Sequence, residues 1–191
     1  MDVLEAIKNR RSIRQYKSDP VDDKSINTVL EAAHWAPSWG NIQCWRFIVV
    51  RDLKVKNELA DTLLKVKVDN EWVENAAAKS IHQAPVVIVL CAELGKAGFR
   101  SDGSPAIDKR EWWFMFDVAL AMENLVLAAH SLGLGTVIIG GFDASKVAKV
   151  LDVPSELTVV TMTPLGFPDH KGQVSPRKDL SEVIYKEKYG K

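Results

Sequence analysis

Ser131-Leu132-Gly133-Leu134-Gly135-Thr136-Val137-Ile138-Ile139-Gly140-Gly141 is the stretch on which the choice of fold turns. Its spaced glycines resemble a dinucleotide-binding turn, which needs a strand before it, a helix after it and a third glycine three residues beyond the second. Here the order is reversed. Glu111 to Leu132 is an apolar, Ala-rich run at helical spacing through Phe116, Leu120, Leu125 and Leu127, while the segment that follows, Thr136 to Ile139, is β-branched and reads as a strand. Ile138 stands where the third glycine belongs. Gly133 is then a helix C-terminal residue able to take positive φ, and a nucleotide fold of the doubly wound type is set aside.

Working outward, Gly140-Gly141-Phe142 precedes Asp143, which can cap a short helix to Leu151, and Leu157 to Thr163 reads as another strand. The paired glycines have two readings: a tight strand-to-helix turn, or a place where main-chain amides approach a flat ligand without side-chain obstruction. Upstream, Pro85 to Ala92 and Trp45 to Val50 are rich in β-branched and aromatic residues and read as buried strands. Lys54 to Lys67 has helical spacing through Leu59, Leu63 and Leu64, and Asp22 and Asp23 offer caps for a helix carrying Ile26, Val29, Leu30 and Ala33. Asp2 caps a first helix carrying Val3, Leu4 and Ile7. The long helix is expected to be buried nearly all round. Interleaved strands and helices give an α+β or α/β sandwich, with a sheet covered by helices. The 191 residues fit one domain, with a Gly-, Ser-, Pro- and charge-rich excursion beginning near Gly95 and reaching about residue 113.

Lys plus Arg equals Asp plus Glu at 25 each, so no global field steers the chain onto nucleic acid or an acidic membrane. The N-terminus lacks a basic segment followed by an apolar one, and Val86 to Ala92 is too short to span a bilayer; a cytoplasmic protein is expected. The two cysteines, Cys44 and Cys91, have no metal-ligand spacing. His34, His82, His130 and His170 are isolated from one another and from any nucleophile motif. No metal site and no hydrolytic machinery is visible, so any chemistry should belong to a cofactor.

Local charge is more informative. Arg10-Arg11-Ser12-Ile13-Arg14 follows the first helix, and Arg177-Lys178 lies near the other end. Guanidinium groups beside a hydroxyl suit a phosphate ester, although a solvated helix end explains such a cluster equally well. Between them the loop Pro37-Ser38-Trp39-Gly40-Asn41-Ile42-Gln43 carries two amides able to read a heterocycle edge and a tryptophan able to stack on it. Trp45, Trp112 and Trp113 are expected to pack in the core.

In order along the chain, these elements resemble the nitroreductase family of flavoproteins. The likeness runs through Arg-Arg-Ser-x-Arg at 10–14, Ala-Pro-Ser-x-x-Asn-x-Gln-x-Trp at 36–45 and Phe-Ile-Val-Val at 47–50. It continues through Ala-Pro-Val-Val-Ile-Val at 84–89, Glu-Asn-Leu-x-Leu-Ala-Ala-x-x-Leu-Gly-Leu-Gly-Thr at 123–136, and Gly-Gly-Phe-Asp at 140–143. Pro-Leu-Gly-Phe-Pro-Asp at 164–169 and Arg-Lys-x-Leu-x-Glu-Val at 177–183 complete it. The resemblance implies an α+β fold with a mostly antiparallel sheet flanked by helices, in an intertwined homodimer with FMN at the subunit interface. It implies that Arg10, Ser12 and Arg177 hold the phosphate, while Arg11 and Arg14 reach the phosphate, ribityl chain or ring. Pro37, Ser38, Trp39 and Asn41 would come from the partner subunit to cover the ring, and Ile139, Gly140 and Gly141 would face the flavin edge. The implied reaction is ping-pong hydride transfer from NADH or NADPH to a small-molecule acceptor such as a nitroaromatic or quinone, with no catalytic side chain. Reductive dehalogenation, enoate reduction, flavin consumption and non-catalytic flavin binding are the alternatives. The chain departs from the family pattern at Cys44, where proline is usual, at the bulky Trp39, and at Gly140, where larger residues including glutamate occur.

Overall fold

The computed structural model describes residues 1–190, without the side chain of Glu111. Its helices are α1 (Val3–Asn9), α2 (Asp23–His34), α3 (Leu53–Ala60), α4 (Ala77–Gln83), α5 (Trp113–Ser131) and α6 (Ala144–Val150). Its strands are β1 (Trp45–Val50), β2 (Val66–Val68), β3 (Glu71–Val73), β4 (Val86–Glu93), β5 (Gly135–Thr136) and β6 (Leu157–Gly166). β1, β4, β6 and β5 form one sheet in that order, every ladder antiparallel, and β2 and β3 form a separate hairpin. This is the α+β architecture expected from the sequence.

The unbroken apolar run of β4 follows from its place at the centre of the core. Successive side chains of a strand alternate between faces, so Val86, Ile88, Leu90 and Ala92 pack with α2 and α5. Val87, Val89 and Cys91 point the other way, into a second cluster with Leu59 of α3, Ile81 of α4 and Val147 of α6. Helices cover both faces, so the strand shows no polar alternation. β1, by contrast, is an edge strand whose interior is only partly covered, with Val49 38% exposed; its ends Trp45 and Val50 are buried.

Four local expectations need correction. The helix expected from Lys54 to Lys67 ends at Ala60, because the chain beyond it pairs with the segment after Gly140: Asp143 N–H donates to Thr62 O and Leu64 N–H to Gly141 O, both at 2.9 Å. The β-branched Val66 and Val68 then enter the hairpin, turned by Asp69 and Asn70 at φ 47° and 69°, the positive-φ pair that a tight hairpin requires. The strand expected from Thr136 to Ile139 pairs regularly only at Gly135 and Thr136, with an isolated bridge from Ile139 to Met162. α5 is not buried all round: Val118, Ala121, Met122, Leu125, Val126 and Ala129 face the core, whereas Met115 and Phe116 are 44% and 54% exposed. Trp112, expected in the core, is 69% exposed. α5 also has the length and mean hydropathy, 19 residues at 1.2, of a membrane span, a property expected of no segment from the sequence; its inner stripe belongs to the core.

Candidate functional site

The basic cluster at 10–14 is placed by the end of α1 and by β5. Asp2 closes a capping box with Glu5 at the helix start, and the helix stops at Arg10, whose ψ of 133° sends the chain into extended backbone. Ile13 turns inward and is 7% exposed, its N–H donating to Thr136 O at 2.8 Å, while Ser12 bridges Thr136 in parallel. Thr136 is therefore held between β6 on one side and this segment on the other. Tyr16 Oη donates to Ile13 O at 2.6 Å and Ser80 Oγ to Arg14 O at 3.0 Å, so the cluster rides on a fixed backbone.

The chain leaving β6 runs back along the same segment. Lys17 N–H donates to Phe167 O and Asp169 N–H to Gln15 O, which carries His170, Lys171 and Gly172 alongside the arginines. The tail continues to Arg177 and closes a cleft of about 1120 Å³. Lys8, Arg10, Arg11, Arg14, Lys171 and Arg177 line it, and among the described residues no aspartate or glutamate does. Among the described residues, none of these cations has a carboxylate within 4.0 Å. Uncompensated guanidinium and ammonium groups converging on one cleft fit a multiply charged oxyanion, because each offers charge-assisted donors. Both readings of the cluster find a counterpart here: Arg11 Nη1 donates to Lys8 O and Arg10 O at 2.6 and 2.7 Å, fastening the end of α1, while Ser12, Arg10, Arg14 and Arg177 face the cleft.

A smaller chamber of about 470 Å³ adjoins the cleft, sharing Arg10, Arg11, His170 and Lys171 and adding His130 of α5 and Thr136. His130 Nε2 is buried without a hydrogen-bond partner. Burial first, and then the charges of Arg10 and Arg11, hold this imidazole below the ordinary value of 6.5. The fold therefore prefers neutral His130. Between its lowered value and 6.5 the unfolded chain binds more protons, so this contribution is full above pH 6.5 and is lost as the pH falls below it. Thermal melts from pH 7.5 to 5 should show the midpoint falling on acidification, and His130→Gln should flatten that slope; an unchanged slope would refute the assignment. Neither His130 nor His170 stands out in the sequence, where each looks like an isolated structural or surface histidine.

The remaining candidate residues lie outside this cleft. Pro37 and Asn41 are exposed and Ser38 and Trp39 half-buried, in a loop containing a short 3-10 turn at Trp39–Asn41. Trp39 stands edge-on to Trp113 with ring centroids 5.5 Å apart. Ile139 is buried at 4% and bridges Met162, whereas Gly140 and Gly141 are exposed on the turn into α6. Space around the Gly140 Cβ position is open to 4 Å, and Asn75 Nδ2 lies 3.4 Å from that of Gly141. Asn75 is thus a polar neighbour of the glycine pair that sequence spacing did not reveal. One chain brings five candidates, Arg10, Arg11, Ser12, Arg14 and Arg177, into one cleft, and the loop and the glycine turn do not line it.

Comparison with known proteins gives the same family from three directions. The family model described as Nitroreductase family matches residues 7–167. An NADH dehydrogenase of Thermus thermophilus is 31% identical over 207 aligned positions, covering 96% of this chain and 95% of that protein. A nitroreductase family protein from Clostridium novyi NT superposes with a TM-score of 0.75 at 32% identity, over 100% of this chain and 96% of that one. A structure from Desulfovibrio desulfuricans, solved in complex with FMN, superposes at 0.77 with 28% identity over 99% and 98% of the two chains. With an antiparallel sheet sandwiched by helices and its N-terminal arginines gathered beside its C-terminal tail, this chain belongs to the nitroreductase family.

Proposed function

We propose that the chain is a cytoplasmic, homodimeric, FMN-dependent NAD(P)H oxidoreductase that passes reducing equivalents to a small organic acceptor such as a nitroaromatic or a quinone. The observation that carries this reading is the cleft lined by Arg10, Arg11, Ser12, Arg14 and Arg177 with no acidic side chain. A phosphomonoester dianion satisfies that donor set, whereas a neutral ligand would leave the cations uncompensated.

In this reading Arg10, Ser12 and Arg177 hold the phosphate and Arg14 supports the ribityl chain, while Arg11 keeps the end of α1 in place. The loop of Pro37, Ser38, Trp39 and Asn41 covers the ring bound mainly by the facing protomer, and Gly140 and Gly141 present backbone to the flavin edge, while Ile139, whose N–H and C=O are both paired with Met162, anchors the glycine pair to β6. The bound flavin supplies the capacity to take up and release two electrons. The protein orients donor and acceptor in turn over one face and stabilises the negative charge of the reduced state through fixed cations and backbone dipoles. Exposed Trp112, Met115 and Phe116 on and beside α5, with Leu4 and Ile7 on α1, give the apolar surface that a second copy would cover.

Anaerobic titration tests the reading directly. The purified protein should bind FMN stoichiometrically, and NADH or NADPH should bleach its visible absorption. Failure to bind added FMN would refute the reading, and binding without reduction by either nicotinamide would favour a non-catalytic flavin protein.

A further inference from the structure

Asp117 is a carboxylate in the apolar run Phe114-Met115-Phe116-Asp117-Val118-Ala119-Leu120, and it is 1% exposed. Among the described residues it has no cation within 4.0 Å. A buried carboxylate without a counter-charge is costly, so its surroundings must recover that cost or its presence must serve another end. Packing offers no account: a leucine or methionine would fill a helix core at no such penalty.

Besides the Trp113 side chain one turn back on its own helix, the partners of Asp117 belong to the loop before β1. Trp39 N–H donates to both carboxylate oxygens, at 3.2 and 3.1 Å. The Cys44 thiol lies 3.7 Å from Oδ2. Burial, then the charge of Asp117, pushes this thiol up to about 12, so it remains an S–H donor. The two contacts bracket the loop: one holds its first turn, the other the residue that leads into β1.

Between the brackets the loop is in a conformation that L residues disfavour. Gly40, Asn41 and Gln43 have φ of 52°, 57° and 50°. Its internal bonds, Asn41 N–H to Ser38 O at 3.0 Å, Ile42 N–H to Trp39 O at 2.9 Å, Gln43 N–H to Ser38 Oγ at 3.0 Å and Gln43 Nε2 to Asn41 O and Oδ1 at 3.2 and 3.1 Å, shape the turn but run only between residues 38 and 43 and do not fix it to the rest of the fold. Such a loop persists only where its surroundings over-determine it. We propose that Asp117 is a positioning residue: its carboxylate clasps both ends of the 39–44 loop, through the Trp39 amide and the Cys44 thiol, and so sets Ser38, Trp39 and Asn41 in the arrangement offered to the cofactor of a facing protomer. Cys44, which stands where the family resemblance leads one to expect proline, supplies the second half of the clasp. The inference rests on the proposed function for what the loop covers, but the clasp itself is a property of the flavin-free protein.

Asp117→Ala, Asp117→Asn and Cys44→Ala test it. In flavin-free protein, hydrogen–deuterium exchange of the 38–44 peptide should accelerate roughly tenfold in Asp117→Ala, the equivalent of one net hydrogen bond. It should accelerate less in the other two variants, with α5 peptides still protected. FMN and riboflavin should then weaken by the same factor, roughly tenfold, because the loop meets the ring and not the phosphate. Unchanged exchange at 38–44, or a loss of protection spread over α5, would make Asp117 an ordinary core residue and overturn the proposal. If Asp117→Ala does not fold, Asp117→Asn and Cys44→Ala carry the same comparison. Wild-type protein that binds no flavin would instead refute the proposed function, leaving the exchange result to judge the clasp.

Discussion

Replacing Arg10 and Arg177 together by alanine is expected to weaken FMN binding on the order of a thousandfold, while riboflavin, which lacks the phosphate, loses far less. A hydrogen bond to a charged group is worth about 1.5–3 kcal/mol net, so each single variant should lose roughly tenfold to a hundredfold. The two residues are separated by most of the chain yet line one cleft, with no carboxylate among the residues around it. Truncation therefore removes charge aimed at the ligand and leaves no orphaned acid behind. Neither side chain belongs to the core, Arg10 being half-buried and Arg177 exposed, so the thermal midpoint should barely move. Fluorescence titration with both flavins measures the ratio, and it should collapse toward unity in the double variant. A double variant that keeps the wild-type preference for FMN over riboflavin would mean that the phosphate lies elsewhere.

That convergence shows how far the sequence can be read and where it stops. The apolar run at 86–92, the capped helices after Asp22 and Asp143, and the helix–glycine–strand order around Gly133 were legible because each depends on neighbouring residues. Gly133 does take the positive φ, 76°, that a helix C-terminus asks for. The meeting of Arg10 with Arg177 was not legible from spacing: it depends on the pairing of residues 15–17 with 167–169, and entered only through resemblance to a family. The overlong helix at Lys54 failed for a related reason, since pairing of Thr62 and Leu64 with residues 141–143 outweighed the helical spacing. Asp69-Asn70 was the local signal that would have exposed the hairpin. Asp117 was legible in principle as a lone acid in an apolar helix, but the loop residues it holds, Trp39 and Cys44, lie more than seventy residues away.

Gly172→Ala should strike the cleft from its wall and not from its charges. A Cβ on Gly172 would lie 2.3 Å from Arg11 Cβ, 3.1 Å from Arg11 Cγ and 3.3 Å from Ile13 Cδ1. The first contact is with the root of a side chain, which cannot swing aside as a flexible tip would. Either the tail after Asp169 or the segment at 11–13 must move. Ile13 is already wedged against Gly135, where an added Cβ would meet three of its atoms at 2.8–2.9 Å, so the segment has no free side to retreat toward. Overpacking of this kind costs about 1–3 kcal/mol, which for a chain of this size lowers the thermal midpoint by roughly 3–10 °C. The displaced tail carries Lys171 and Arg177, so FMN affinity should fall along with stability. The steric cause can be separated from a general defect, because Arg11→Gly removes the atom that clashes. Adding it to Gly172→Ala should raise the midpoint above that of Gly172→Ala alone, although Arg11→Gly by itself frees the end of α1 from Arg11 Nη1 and is destabilising. Additive losses in the double variant would show that Gly172 and Arg11 do not touch in solution, and the wall of the cleft would have to be drawn differently.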